Sequence, residues 1–186
     1  INADGSDVAG FPLELGEKVK AGVALADFND NGKDDIVLGT DDNHVYLIYD
    51  NGFEAPGFPF KVDGKIQTAP SILDVNGDKI IFAGSLDSNL YAINSDGSLR
   101  FIVEANNEIE TSPSFLKHNE NQYIFFGAND GLIYAVDSDG NPFSDNWPVN
   151  TNGPISGSVV FADLDCDNDP EIIAVNDAGS IFAFNI

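Results

Sequence analysis

The sequence predicts an all-β fold of four consecutive four-stranded antiparallel sheets, because one segment recurs at a steady interval and no helical pattern interrupts it. Four segments are alike: IVLGTDDNHVYLIYDNG from Ile36, IIFAGSLDSNLYAINSDG from Ile80, IFFGANDGLIYAVDSDG from Ile124 and IIAVNDAGSIFAFNI from Ile172. Each has an anchor residue seven positions before an aromatic, and the anchors lie 45, 43 and 48 residues apart: Gly39, Gly84, Gly127 and Val175. A period near 45 residues is typical of a β-propeller blade. No segment keeps a 3.6-residue apolar period, so we expect almost no helix.

Each repeat contains four short strands joined by polar turns. In the first repeat we predict strands at Val23–Ala26, Ile36–Leu38, Val45–Tyr49 and Gly57–Val62. These stretches are rich in Val, Ile, Phe and Tyr, and Gly, Asn and Asp separate them. The fourth strand carries an aromatic–Pro pair in three places: Phe11-Pro12, Phe58-Pro59 and Trp147-Pro148. Proline cannot donate a ladder hydrogen bond, so we place this strand at the outer edge of each sheet.

The 186 residues are predicted to form one propeller domain of four repeats, at about 10–62, 63–104, 105–150 and 151–186. The opening INADGS matches INSDGS from Ile93, which indicates a whole number of repeats cut between the third and fourth strands. Two arrangements follow: a closed four-bladed propeller, or four blades of a larger one. We expect the closed ring, in which residues 1–15 complete the last blade through Phe11–Leu15, because closure removes free sheet edges.

The net charge of the chain excludes some kinds of binding partner. The chain has 31 acidic and 8 basic residues, a formal net charge of −23. Such a surface repels phosphate backbones and anionic lipids, so we expect no nucleic acid partner. No stretch reaches the roughly 18 apolar residues of a membrane helix, so we expect no direct membrane insertion. The carboxylates have one of two roles: they keep the protein soluble, or they bind cations. Their positions in the sequence distinguish these two roles.

Carboxylates concentrate in the loop between the first and second strands of repeats one and four. Both loops place oxygen side chains at positions 1, 3, 5 and 9, and position 7 would offer a backbone carbonyl. The predicted metal ligands are Asp27, Asn29, Asn31, Lys33 and Asp35 in repeat one, and Asp163, Asp165, Asp167, Asp169 and Glu171 in repeat four. Ca²⁺ takes six to eight oxygen ligands, whereas Mg²⁺ demands a stricter octahedron.

The other two repeats serve as internal controls. The distance from loop start to anchor is 12 residues in repeats one and four but 10 in repeats two and three, whose loops begin at Asp74 and Lys117. The short loops have also lost ligands, so we predict two calcium sites rather than four. The alternative is that both long loops are Asx-type turns capped by their own side chains. An EF-hand is disfavoured, since no flanking helices and no Glu at position 12 are visible.

These loops, the DIVLGT and EIIAVN strands and the aromatic–Pro edge strands resemble the FG-GAP/VCBS repeat family of β-propellers, related in style to the integrin α-subunit head. The resemblance implies structural calcium and a secreted or surface protein used for adhesion, glycan binding or assembly. We therefore expect a non-catalytic, calcium-stabilised binding or scaffolding module for a protein or glycan. It would be extracellular, on the cell surface or periplasmic, and would be joined to other modules or serve as a subunit of an assembly.

The alternative is an enzyme, as a fragment of a larger propeller of the polysaccharide lyase or quinoprotein dehydrogenase type. A nucleophilic site needs a nucleophile, a base and an orienting group within reach. The candidates are few: His44 lies in a variable turn, His118 in a degenerate loop, and Cys166 at position 4 of a calcium loop. We expect no enzyme activity.

Overall fold

The computed structural model describes residues 2–186, and these form fifteen β-strands in four antiparallel sheets, called blades 1 to 4 in chain order. Blade 1 contains β1 (Ala24–Ala26), β2 (Asp35–Gly39), β3 (His44–Ile48) and β4 (Phe60–Lys61); blade 2 contains β5 (Ser71–Val75), β6 (Asp78–Gly84), β7 (Asn89–Asn94) and β8 (Leu99–Glu104). Blade 3 contains β9 (Ser114–His118), β10 (Asn121–Gly127), β11 (Leu132–Asp137) and β12 (Val149–Asn150); blade 4 contains β13 (Val160–Ala162), β14 (Glu171–Val175) and β15 (Ile181–Phe184). The predicted all-β class is confirmed. In the described part of the chain no helix is long and apolar enough to cross a membrane.

The strands of each blade follow one another in the sheet in chain order, as the repeat predicts. In blade 1 the pairs Ile36↔Ile48 and Leu38↔Tyr46 set the register between β2 and β3. The strands lie within one or two residues of their predicted limits, except that β4 spans only Phe60–Lys61. Pro59 has no N–H to give the ladder, which explains why pairing starts just after it.

Three hydrophobic clusters fill the contacts between consecutive blades, which we call joints. Among the largest fully buried side chains are Phe82 and Phe125, which lie at the second and third joints. At each joint an isoleucine of the next blade lies against the anchor glycine. A Cβ added to the glycine would lie within 2.0, 2.6 and 2.2 Å of the isoleucine side chain in the pairs Gly39–Ile66, Gly84–Ile109 and Gly127–Ile155. The anchors are therefore glycines because the neighbouring blade occupies the space of a side chain.

The expected closure of the ring is not seen. Blade 4 has three strands, and within residues 2–186 β15 pairs only with β14. Residues 11–15 form no strand. The preceding residues lie instead against blade 1, where a Cβ on Gly10 would be 2.0 Å from the Asn51 carbonyl oxygen. Gly57 makes the same approach to blade 2, at 2.1 Å from the Asp96 carbonyl oxygen, so the N-terminal segment occupies the place of an outer strand that precedes blade 1.

Candidate metal centres

Two long loops, loop 1 (27–34) and loop 4 (163–170), join the first and second strands of blades 1 and 4. The corresponding connections in blades 2 and 3 are two-residue turns. Their central residues, Asn76-Gly77 and Asn119-Glu120, all have positive φ, between 47° and 92°. This geometry is that of a tight type I′ hairpin, which leaves no room for a cradle of alternating ligands. The two middle repeats therefore connect these strands by tight turns, and the interpretation that a metal shapes the two longer loops stays a prediction.

Loop 4 brings three of its predicted ligands together. Carboxylate oxygens of Asp163, Asp165 and Glu171 all lie within 4.8 Å of one another. They stand at positions 1, 3 and 9, so residues eight apart in sequence meet because β14 begins at Glu171 directly beneath the loop. A spacing of this size is what oxygens bound to one Ca²⁺ at 2.3–2.6 Å would have.

The same hydrogen bonds shape loops 1 and 4. In both, the position 2 N–H donates to the position 9 carboxylate: Phe28 to Asp35 at 2.9 Å, and Leu164 to Glu171 at 2.6 Å. The position 6 N–H donates to the position 1 carboxylate: Gly32 to Asp27 at 2.6 Å, and Asn168 to Asp163 at 3.2 Å. The position 7 N–H donates to the position 5 side chain: Lys33 to Asn31, and Asp169 to Asp167, both at 2.9 Å. Positions 4 and 6 have positive φ in both loops: Asp30, Gly32, Cys166 and Asn168.

These hydrogen bonds fit both interpretations of the loops that the sequence left open. An Asx-type turn requires them, and a calcium loop tolerates them, because a carboxylate oxygen has two lone pairs and can accept an N–H while it binds a cation. Burial and charge compensation separate the two interpretations better than hydrogen bonding does.

Position 9 is the buried acid of each loop. Asp35 is 0% exposed and Glu171 is 5% exposed, and they are the only buried acidic residues in the described part of the chain. Asp35 accepts hydrogen bonds from the N–H groups of Phe28 and Asp50. Within residues 2–186, no Lys, Arg or His forms an ion pair with either of them or with Asp27, Asp163 or Asp165. A buried carboxylate without a cationic partner is costly, and a bound cation would remove that cost.

The pKa of Asp165 also indicates negative charge that no cation compensates. Its pKa is raised above the usual value, first by partial removal from water and then by repulsion from Asp167, Glu171 and Asp163. A carboxyl group surrounded by like charges holds its proton more tightly, and a divalent ion would reverse that effect.

The remaining predicted ligands lie at the edges of the two centres. Asn29 contacts Asp35 through its amide at 3.5 Å. The side chains of Asn31 and Lys33 both turn to Asp50, with Asn31 Nδ2 3.0 Å from Oδ1 and Lys33 Nζ 2.6 Å from Oδ2. Of the Lys33 groups, only the backbone carbonyl can therefore serve the loop. Asp50 is a neighbour that the sequence did not reveal, since it reads as an ordinary turn residue before Asn51-Gly52.

In loop 4 the position 7 side chain also points elsewhere. Asp169 Oδ1 lies 4.0 Å from His118 Nδ1 of blade 3. Its side chain therefore lies outside the group formed by positions 1, 3 and 9, as expected if its carbonyl is the ligand. Asp167 is likewise outside that group. The donor set of both loops is oxygen only, which fits Ca²⁺ and suits softer metals poorly.

The two histidines considered for catalysis contact residues of their own turns, and the cysteine is exposed. His44 Nδ1 lies 3.0 Å from Asp42 Oδ2, and Thr40 donates to the same carboxylate. His118 contacts Asn119, and Cys166 is exposed on loop 4. One cleft, of about 440 Å³, lies between the N-terminal segment and blade 1. Its lining combines four apolar residues (Val8, Ala9, Phe11 and Ile36) with four polar ones (Lys33, Asp34, Asp50 and Asn51).

Solved structures match the chain closely in shape and weakly in sequence. BamB from Moraxella catarrhalis superposes with a TM-score of 0.68 at 15% identity, covering 91% of this chain and 50% of BamB. BBS1N, solved in complex with ARL6DN, superposes with a TM-score of 0.65 at 14% identity, covering 93% of this chain and 53% of BBS1N. Sqt1 of Saccharomyces cerevisiae superposes with a TM-score of 0.67 at 14% identity, covering 89% of this chain and 44% of Sqt1. All three are propeller-like.

The fold is a β-propeller. The chain spans about half the length of these propeller structures. No protein-family model matches the chain, and no curated protein matches it in sequence. The similarity to FG-GAP/VCBS repeats, in particular, therefore stays a prediction from the motifs.

Proposed function

We propose that this propeller is a non-catalytic binding module that works outside the cytoplasm, that Ca²⁺ in loops 1 and 4 holds its end blades in shape, and that its partner is a protein. The observation that carries the calcium proposal is the pair of buried acids, Asp35 and Glu171, each beneath a loop of further oxygen ligands and without an ion-pair partner within residues 2–186.

The location follows from the affinity that such loops would have. Loop 1 offers two carboxylates and two amides, and its ligands lie on a largely exposed surface loop. Calcium sites with few charged ligands bind at about 10⁻⁴–10⁻³ M, the range of extracellular modules. Sites of this strength fill only where free calcium is millimolar, which favours the cell surface, the periplasm or the medium.

The nature of the partner follows from charge. Of the eight basic residues, five take part in ion pairs with acidic neighbours: Lys20, Lys33, Lys79, Arg100 and Lys117. The surface left to a partner is therefore strongly acidic, and it favours a protein with a basic face over a neutral glycan. BBS1N is itself a propeller solved with a protein partner.

Calcium titration of the intact chain tests the metal proposal. We expect isothermal calorimetry and metal analysis to give about two Ca²⁺ per chain and thermal unfolding to shift upward with Ca²⁺, reverse with EGTA and respond little to Mg²⁺. The double variant Asp35→Asn with Glu171→Gln should lose both the binding and the shift. Calcium-independent unfolding of the unmodified chain would contradict the metal proposal.

Immobilised chain tests the partner proposal separately. Captured secreted proteins should have basic surfaces, and they should be released by EGTA and by about 0.5 M NaCl, where the screening length falls to a few Å. A glycan array probed in calcium serves as the contrast. Glycan hits with no salt-sensitive protein capture would contradict the assignment of a protein partner.

A further inference from the structure

The outer strand of blade 2 differs from the outer strands of blades 1 and 3. β8 spans six residues, Leu99–Glu104, whereas β4 and β12 span two residues each. Both short strands begin directly after a proline, Pro59 or Pro148, and β8 contains none. Short strands and prolines are two means by which proteins keep a sheet edge from pairing with other chains. Blade 2 lacks both of them in this strand.

Most of β8 forms a regular ladder with β7. The register shifts between Ala92 and Ile93, where Arg100 is the extra residue of a β-bulge. After the bulge the pairing continues without interruption, from Phe101 opposite Ala92 to Glu104 opposite Asn89. The bulge therefore affects only the beginning of β8, and residues 101–104 form a regular edge.

The pairing with β7 determines which backbone groups of β8 point outward. Just beyond the strand, the Ala105 N–H donates to the Ser88 carbonyl at 2.8 Å. Hydrogen-bonded and non-hydrogen-bonded pairs alternate along an antiparallel ladder. The N–H and C=O groups of Val103 therefore point to β7, and those of Ile102 and Glu104 point away from it. Within residues 2–186 β8 pairs only with β7, so these outward groups face solvent.

The side chains of β8 divide into an anchored set and an exposed set. Phe101 and Val103 pack on the hydrophobic cluster of the second joint. Leu99 is 46% exposed, Ile102 is 42% exposed, and Glu104 is exposed as well. The strand is thus held to the fold by one set of side chains, while the other set offers apolar surface whose burial would favour binding.

Blade 3 braces this edge from the side without covering it. A Cβ added to Gly140 would lie 2.9 Å from the Phe101 ring. Arg100 Nε donates to the Ser138 carbonyl at 3.0 Å, and its guanidinium reaches Asp139 at 3.2 Å. An edge that is already ordered loses little conformational entropy when a partner binds.

Further repeats of the same kind would not fill this position. Blade 2 packs between blades 1 and 3, and all three already have four strands. A strand added outside β8 would be a fifth strand of blade 2, and no sheet of the described chain has five. The open edge is therefore independent of where the sequence begins and ends.

Charge distinguishes between possible occupants of the edge. Arg100 is the only basic residue of β8, and it is already paired with Asp78 and Asp139. Glu104 forms no ion pair within residues 2–186. The net charge of −23 opposes the pairing of two copies of this chain, and it favours a basic occupant.

We propose that the outer edge of blade 2 is the docking site of the protein partner, and that an extended basic segment of that partner adds to β8 as a fifth strand. The outward backbone groups of Ile102 and Glu104 would form the hydrogen bonds, and Lys or Arg of the partner would pair with the Glu104 carboxylate. The proposal rests on the proposed function for the class of partner, and it adds the surface and the mode of recognition.

A peptide probe gives the first test. The probe is a short fluorescent peptide in which Lys alternates with Val, and the control is the same peptide N-methylated at every residue. Both carry the same charge, but only the probe can donate backbone hydrogen bonds. In fluorescence anisotropy with the intact chain, the probe should bind at least about tenfold more tightly than the control. Equal binding, or no binding of the probe, would overturn the addition of a strand.

Two pairs of variants locate the site. Ile102→Pro removes an N–H that takes no part in the β7 ladder, so the chain should fold and should bind the probe at least about tenfold more weakly. Ile102→Val keeps this N–H and should bind as the unmodified chain does. Glu104→Lys should weaken binding more than Glu54→Lys, which makes the same charge change at an exposed acid of blade 1. Unchanged binding by Ile102→Pro, or equal effects of the two charge reversals, would overturn the assignment to this edge.

Amide hydrogen exchange tests the same edge without a substitution. In the free chain the N–H groups of Ile102 and Glu104 should exchange fast, and that of Val103 should exchange slowly. Saturation with the probe should slow the exchange of Ile102 and Glu104. Binding that leaves both rates unchanged would show that the probe binds elsewhere, and would refute the proposal.

Two results separate this proposal from the proposed function. If the probe failed at β8 while basic secreted proteins were still captured, the edge assignment would be wrong and the proposed function would stand. If no salt-sensitive capture occurred, the proposed function itself would be wrong. Sedimentation should show a monomer of 19.9 kDa. Self-association that Ile102→Pro abolished would make a second copy the occupant and refute the proposal.

Discussion

Replacing Glu171 with Gln should abolish the calcium response of blade 4 without destabilising the metal-free chain. The amide keeps the size of the side chain, and its oxygen can still accept the Leu164 N–H, now at 2.6 Å. One negative charge leaves a cluster in which Asp163, Asp165 and Glu171 place oxygens within 4.8 Å of one another. Repulsion in the metal-free state falls, while the cation loses a charged ligand that is 5% exposed. The substitution therefore acts in opposite directions on the two states.

The magnitude follows from mass action. Loop 4 carries more carboxylates than loop 1, so the loop 1 affinity gives a lower limit. At about 2 mM Ca²⁺, a site with a Kd of about 10⁻⁴–10⁻³ M raises the free energy of unfolding by about 0.6–1.8 kcal/mol. For a domain of this size, 1 kcal/mol corresponds to about 2–4 °C in Tm, so one site should give a shift of about 1–7 °C. The variant should show roughly half of the total calcium shift, since loop 1 remains.

Differential scanning calorimetry in calcium and in EGTA measures both states. Asp169→Asn is the matched control, because it removes the same charge from the same loop at a side chain that points to His118 instead of the carboxylate cluster. The control should keep the full calcium shift. If Glu171→Gln kept it as well, or if it destabilised the EGTA form as the loss of a turn-capping carboxylate would, the calcium interpretation of loop 4 would be wrong.

Two further outcomes are expected. Gly127→Ala should lower the free energy of unfolding by about 1–3 kcal/mol in urea titrations, because its Cβ would lie 2.2 Å from Ile155. The control is Gly22→Ala, whose Cβ would meet its nearest neighbour at 3.8 Å, and it should change the free energy little. Equal effects of the two substitutions would contradict the close fit at the joints. Burial and the hydrogen bond to Asp87 raise the pKa of Tyr91 to about 12. The folded chain therefore holds this proton more tightly than the unfolded chain does. The resulting stabilisation of the fold is complete below about pH 10 and is lost as the pH rises toward 12. Absorbance near 295 nm should show one phenol fewer in the late phase of Tyr91→Phe, and an unchanged late phase would contradict the assignment.

The repeat made most of the fold predictable. Strand alternation and a period near 45 residues determine four blades, and the comparison of loop lengths separates blades 1 and 4 from blades 2 and 3. Burial of Asp35 and Glu171 at position 9 agrees with the ligand pattern read from spacing. These features are local in sequence, so the pattern of a single repeat contains them.

The features that sequence reasoning missed depend on contacts between distant residues. Asp50 reaches Asn31 and Lys33 across 17 to 19 residues, and no spacing rule marks it. The expected closure of the ring is not seen in residues 2–186, where blade 4 has three strands. Phase alone fixes the number of blades, whereas closure depends on how side chains pack at every joint. The role of the anchor glycines was also hidden, although a glycine at the same phase in three repeats and a valine in the fourth was a visible signal.

The long loops differ from the first hairpins of blades 2 and 3 in what they cost the fold, and this difference has a physical reason. Blades 2 and 3 pack on both faces, so their first hairpins are fixed from both sides and close in two residues. Loops 1 and 4 must order eight residues each, which costs more conformational entropy, and they add repulsion among carboxylates. A cation would offset both costs where packing cannot. The metal would then fix the loop at the rim of blades 1 and 4.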